Sequence, residues 1–167
     1  MIIGIGGVSR AGKTSLAFKI REWIGYDEVL ILHQDEFIQP MDKMPRISEH
    51  IDWEHPKSLN FESLIKKIKE AKEGNKTIIV EGLMVFWNPE LLKVLDHKIF
   101  LSIRKETFLS RKTLDNRWGD EPDWYIQHIW DSHFIYGLLP DGEPNVLQLD
   151  GEACCTDEAA KDFLNLP

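Results

Sequence analysis

The chain has 167 residues, is 43% hydrophobic and 29% charged, and carries a formal net charge of −8. That length supports a domain with a real hydrophobic core, and that composition is of an ordinary globular protein rather than a disordered or fibrous one. The acidic balance argues against nucleic acid or an anionic membrane as the main partner, because phosphate-rich surfaces select basic proteins.

Cys154 and Cys155 are the two cysteines, adjacent in sequence and poorly placed to bond each other. No disulfide framework follows from them, and a reducing, cytoplasmic setting is expected. The N-terminus has no basic segment followed by an apolar leader, and no apolar run approaches the length of a membrane span.

Taken in chain order, five short apolar segments rich in β-branched residues read as buried strands: residues 2–5, 29–32, 77–80, 98–103 and 145–149. Helical periodicity lies between them. Residues 13–23 space Leu16, Ala17 and Ile20 on one face, and residues 61–71 do the same with Leu64, Ile65 and Ile68. Residues 105–117 and 123–136 also read as helices, and a last helix is expected to start near Thr156, capped by Thr156 or Asp157. Strands that are apolar throughout and alternate with helices imply a parallel sheet covered on both faces, with ligands at the carboxyl ends of the strands. Gly7, Asp35, Glu81 and Asp150 each fall at or just after such an end.

The segment after the first strand, Gly7-Val8-Ser9-Arg10-Ala11-Gly12-Lys13-Thr14, matches G-x-x-x-x-G-K-[ST] in full. Glycines let the backbone curl so that successive N–H groups face a phosphate, and the helix that follows points its positive end at the same anion. Lys13 is placed to reach the outer phosphates, the Thr14 hydroxyl to ligate Mg2+, and Ser15 to extend the cradle. The overlapping Gly4-Ile5-Gly6-Gly7-Val8-Ser9 is not a full dinucleotide fingerprint, because Ser9 stands where the third glycine belongs. Asn75-Lys76-Thr77-Ile78 opens like the guanine-reading N-K-x-D but has Ile78 for the aspartate, so a polar turn is the simpler explanation.

A small-molecule kinase needs few further parts: a base for the acceptor hydroxyl, a carboxylate near the metal, cations for the transferring phosphoryl group, and a lid against water. Asp35 follows the second strand and could take the hydroxyl proton or hold the metal. Glu81 ends a buried strand, where a lone carboxylate is costly; a metal-bound water or Lys13 would serve as its partner. Arg104, Lys105, Arg111, Lys112 and Arg117 make one stretch basic in an acidic chain.

Motifs along nearly the whole chain carry a resemblance. Gln34-Asp35-Glu36-Phe37-Ile38-Gln39-Pro40 is similar to Q-D-D-F-[FY]-x-P. Trp53-Glu54-His55-Pro56-Lys57-Ser58-Leu59-Asn60 resembles [WFY]-D-x-P-x-[AS]-[LIF]-[DN]. Ile79 to Phe86 resembles I-[IV]-E-G-[FI]-L-[LV]-F, Tyr125, His128, Ile129 and Trp130 resemble the named residues of Y-[FI]-x-x-H-[VI]-W, and Val146 to Gly151 resembles V-x-x-L-D-G. The sequence thus resembles the uridine kinase-like branch of phosphate-loop kinases, and most closely nicotinamide riboside kinases.

The resemblance implies an α/β P-loop NTPase three-layer sandwich: a five-stranded parallel sheet with helices on both faces and a helical lid. It implies one kinase domain over residues 1–167, with a substrate segment near 35–60 and a lid near 104–124. ATP and Mg2+ are the implied cofactors, and the 5′-hydroxyl of nicotinamide riboside, or of uridine or cytidine, the implied acceptor. Asp35, Lys13 and Arg111 take the catalytic positions. Gly7 to Ser15, Arg117, Asp150 and Gly151 take the ATP-binding ones, and Thr14, Asp35 and Glu81 the metal-binding ones. Asp35, Glu36, Phe37, Trp53, Glu54 and Arg111 fall on substrate-binding positions, with Glu54 on the acid that grips the ribose hydroxyls.

The chain departs from the pattern at Glu54, where aspartate is usual, so Asp52 could serve instead. Ser110 and Lys112 thin the run of lid arginines, and Asp115 adds a negative charge there. Of the six tryptophans, Trp53 is the stacking candidate, while Trp124 and Trp130 are expected to pack as helix residues. His128 and His133, five apart, do not share a helix face and are expected to be structural rather than a zinc pair. A small-molecule nucleoside is the expected partner, and a monomer or homodimer the expected assembly. A nucleotide-binding regulatory protein with lost or weak transfer would fit the thinned lid, and a kinase of another small metabolite is a further alternative.

Overall fold

Five parallel strands, β1 (Ile2–Gly7), β2 (Val29–His33), β5 (Thr77–Gly82), β6 (His97–Ser102) and β7 (Val146–Asp150), form one sheet in the order β2-β5-β1-β6-β7. The computed structural model describes residues 1–74, 76–115, 119, 121–153 and 156–167. Arg117, Trp118, Cys154 and Cys155 lie outside the described residues, and so do the expectations placed on them. A two-stranded antiparallel hairpin, β3 (Arg46–Ile47) and β4 (His50–Ile51), stands apart from the sheet.

The sheet is covered on both faces because its strands are apolar on both. Ile3, Ile5, Ile79, Ile99, Leu101 and Leu149 face one way, against α1 (Lys13–Ile24), α4 (Lys105–Thr113), α5 (Asp123–Tyr136) and α6 (Thr156–Phe163). Ile2, Leu32, Ile78 and Val80 face the other way, against α2 (Phe61–Lys72) and α3 (Pro89–Val94). This is the three-layer P-loop NTPase sandwich.

The G-x-G of β1 has a packing cause. A Cβ at Gly6 would lie 2.2 Å from the Phe86 ring, so the bare backbone seats that buried aromatic. Helix α4 stops at Thr113, four residues short of the expected end at 117. Helix α3 and the hairpin were not legible, being too short to establish a period. Asn88 caps α3, accepting from the N–H groups of Glu90 and Leu91 at 2.9 and 3.0 Å.

Candidate active site

The parallel register brings the strand ends to one edge, with Ile5 beside Glu81, Glu81 beside His33, and Ser102 beside Asp150. The phosphate loop rises from β1 into α1. Gly12 has φ of 100°, left-handed backbone that a Cβ would strain, and so turns the chain into the helix. Val8 and Ala11 are buried beneath the loop. Arg10 is also left-handed, at φ 66°.

A cavity of about 450 Å³ opens above the loop, walled by Ser9, Arg10, Gly12, Lys13, Thr14 and Ser15 on one side and by Asp35, Glu81 and Arg111 among its other walls. The Lys13 ammonium donates to the Val8 carbonyl at 2.9 Å. The Thr14 hydroxyl donates to Glu81 Oε1 at 3.0 Å, and His33 Nδ1 lies 2.7 Å from the same oxygen. The buried Glu81 carboxylate is thus partnered by Thr14 and His33. Thr14 and His33 are partners that the sequence reading did not name for it. The partnership follows from strand register, which the sequence does not display.

Arg111, on α4, uses its guanidinium as a clamp. Nη1 donates to the Arg10 carbonyl at 3.0 Å and Nη2 to the Gly151 carbonyl at 3.2 Å. Lid helix, phosphate loop and the turn after β7 are therefore tied at one point. Asp150 faces that turn, its Oδ1 accepting from the Glu152 N–H at 2.8 Å. Glu152 in turn holds Arg104 through Nε at 2.9 Å and Nη2 at 2.7 Å, and those hydrogen bonds pull its carboxyl down to about 2. Beneath the loop, burial pushes the His133 imidazole down to about 4, with Lys13 adding to the fall, and the ring stacks on Phe100 with centroids 5.8 Å apart.

A second cavity, about 300 Å³, lies between hairpin and lid, walled by His50, Ile51, Trp53, Lys112, Glu121, Pro122 and Tyr125. Glu54 sits where the electrostatics of the two cavities meet. Burial pushes its carboxyl up from 4.5 to about 8; Asp35 adds to the rise, Lys112 and Lys13 oppose it, and Asp52 adds the smallest part. The segment holding Glu54 is firmly placed. The buried Asp52 accepts from the Glu54 N–H at 3.1 Å and meets His128 Nε2 at 2.8 Å. The Trp53 N–H donates to the Tyr125 hydroxyl at 3.2 Å.

The sequence-expected residues divide accordingly. Ser9, Arg10, Gly12 to Ser15, Asp35, Glu81 and Arg111 share the loop cavity, and Trp53 walls the second. Glu36 is exposed, and Phe37 packs half-buried against the core cluster that holds Leu64 and Ile68; neither is a wall of these two cavities. Trp130 packs on Phe108, centroids 5.3 Å apart, whereas Trp124 is 41% exposed and meets His50 edge-on. His50, Lys112, Glu121 and Tyr125 were missed as cavity walls, because α4, α5 and the hairpin converge only in three dimensions.

The fold and the site define a phosphate-loop kinase. The family model described as phosphoribulokinase/uridine kinase family matches residues 2–78. A uridine kinase of Chlamydia pneumoniae is 32% identical over 150 residues, covering 74% of this chain and 68% of that protein. A uridine kinase of Saccharomyces cerevisiae is 27% identical over 139 residues, covering 66% of this chain and 28% of that larger protein. The chain belongs to the phosphoribulokinase/uridine kinase family. Among solved structures, a sugar kinase of Janibacter sp. HTCC2649 superposes with a TM-score of 0.66 at 20% identity, over 99% of this chain and 94% of that one. A gluconokinase of Sinorhizobium meliloti 1021 gives 0.61 at 17% identity, over 98% and 90%. These structural likenesses concern the fold. The sequence matches carry the broader part of the expected resemblance, the uridine kinase-like branch.

Proposed function

We propose that this chain transfers the terminal phosphate of ATP, with Mg2+, to the 5′-hydroxyl of a single-ring nucleoside. The observation that carries this is the joining of the two cavities along α4, where Arg111 walls the phosphate cavity and its neighbour Lys112 the second. Glu54 feels the charges of Asp35 and Lys13 from the one and of Lys112 from the other. An acid there can hold a ribose diol while the 5′-hydroxyl points to Asp35 and the ring enters the second cavity. Asp52 is spent on His128 and on the Glu54 N–H, which favours Glu54 as the ribose ligand.

The residues fit Mg2+. Among the described residues no three or more His, Cys, Asp or Glu side chains form a metal cage. What lines the cavity is a hydroxyl and two carboxylates, Thr14, Asp35 and Glu81. Mg2+ takes oxygen ligands and usually completes its shell with phosphates and water, so this set suffices. Bound there, the ion would offset the charge that builds on the transferring phosphoryl group. The protein's own residues do the rest. Lys13 and the amino end of α1 hold the phosphates, Asp35 orients the hydroxyl and accepts its proton, and Arg111 ties the lid to the loop. The resemblance adds Arg117 as an ATP contact.

Two acceptors stand first: nicotinamide riboside on the motifs, and uridine or cytidine on the names of the matched relatives. The test is coupled ADP release over a panel of nucleosides, ribose and gluconate. Turnover confined to ribosides is expected. ATP binding with no turnover of any riboside would sink the proposal.

A further inference from the structure

The second cavity has a polar feature that ribose binding does not require. Lys112 stands in the last turn of α4 and Glu121 two residues before α5 begins. Their charges lie 2.5 Å apart, with side chains only 4% and 18% exposed, and both face the 300 Å³ cavity. Burying two opposite charges costs several kcal/mol per ion before their attraction returns it, and an apolar pair of similar volume would hold two helices together as well. The other walls are aromatic or apolar apart from His50: Ile51, Trp53, Pro122 and Tyr125. Such walls suit the faces of a flat ring, with polar recognition left to one edge.

We propose that the Lys112–Glu121 pair is the specificity determinant for the acceptor ring, recognising an edge on which a hydrogen-bond acceptor and an N–H donor lie side by side. An ammonium has three N–H donors and a carboxylate several lone pairs, so one ion pair does not exhaust either. Lys112 donates to the carbonyl oxygen or ring nitrogen, and Glu121 accepts from the neighbouring N–H. Uracil, cytosine and the carboxamide of nicotinamide all carry this edge; a bare sugar or polyol does not. The placement is consistent, because Lys112 is also a charge neighbour of Glu54. The ring-reading pair therefore lies beside the acid assigned to the ribose. A site built around hydrogen bonds to a ligand rejects analogues that lack them, because its own polar groups are then left unpaired.

The inference rests on the nucleoside assignment above, and the test keeps the two apart. Wild type, E121Q and K112M are assayed on two matched pairs. One is uridine with the riboside of 2-pyridone, which lacks the edge. The other is nicotinamide riboside with 3-acetylpyridine riboside, in which a methyl replaces the amide NH2. Wild type is expected to favour the edge-bearing member of its substrate pair by roughly ten- to a hundredfold in kcat/KM, the worth of one hydrogen bond to a charged group. In E121Q, whose amide is a weaker acceptor than a carboxylate, the preference should fall several-fold in the accepted pair, and in K112M it should fall in the uridine pair, whose 2-pyridone member lacks the second carbonyl, in each case through KM of the edge-bearing member. A role confined to joining α4 and α5 would lower both members of a pair alike and leave their ratio unmoved. Each variant is first shown to keep the rise in melting temperature that ATP gives the wild type; E121Q is nearly isosteric and remains informative if K112M does not fold. Nucleoside turnover with undiminished discrimination in E121Q would overturn the inference alone. Absence of turnover with every riboside would overturn the function and the inference together.

Discussion

Replacing Glu54 by glutamine separates the cost of that carboxylate from its use. Burial, with Asp35 adding, raises the carboxyl from 4.5 to about 8. The native state therefore holds a proton that the unfolded chain releases above pH 4.5. Stability from this group is complete below the unfolded value and is lost as pH rises through about 8. Each pH unit is worth about 1.4 kcal/mol, so the ceiling is roughly 5 kcal/mol. Water and counter-charges drawn in on ionisation reduce this, and about 1–2 kcal/mol is the expected measurable part. At this chain length that corresponds to roughly 2–8 °C in Tm. Differential scanning calorimetry of both proteins should show E54Q more stable than wild type by that amount at pH 9, and equal to it at pH 5. At pH 9, where Glu54 is ionised, the gain in stability should accompany a loss of nucleoside affinity, because an amide holds a ribose diol less well than a carboxylate. An equal difference in Tm at the two pH values would refute the reasoning.

The other variants test separate joints of the site. Asp35→Ala should abolish turnover while preserving the thermal shift produced by ATP, read by scanning fluorimetry. Arg111→Met removes the clamp between the Arg10 and Gly151 carbonyls; KM for ATP should rise roughly tenfold, the worth of one or two such bonds, in a coupled assay. His128→Ala leaves the buried Asp52 carboxylate without its 2.8 Å partner. The cost should be about 2 kcal/mol, seen as a fall in Tm at pH 7, with acceptor KM raised more than ATP KM.

The sheet was legible because its strands are short apolar runs, and the helices at 13–23 and 61–71 because each carries a 3.6-residue stripe. The phosphate loop was legible because its chemistry is local: Gly7 to Thr14 is a contiguous cradle. The acceptor side was harder to see, because its walls come from the hairpin at His50, the end of α4 at Lys112 and the start of α5 at Tyr125. Lys112 looked like a loss from the row of lid arginines, yet its ammonium is buried against Glu121. Asp52 and Glu54 were interchangeable by spacing; the hydrogen bond from the Glu54 N–H and the contact with His128 separate them. Glu81 was read correctly as a carboxylate in need of a partner, but His33 could be found only through the pairing of β2 with β5.

Phosphate transfer to a nucleoside is tested most directly by identifying the product. The protein is incubated with ATP, Mg2+ and uridine or nicotinamide riboside, and phosphorus–proton correlation NMR locates the new ester. The account predicts a 5′-monophosphate formed in step with ADP. Inorganic phosphate as the only product, or an ester on any other oxygen, would contradict it.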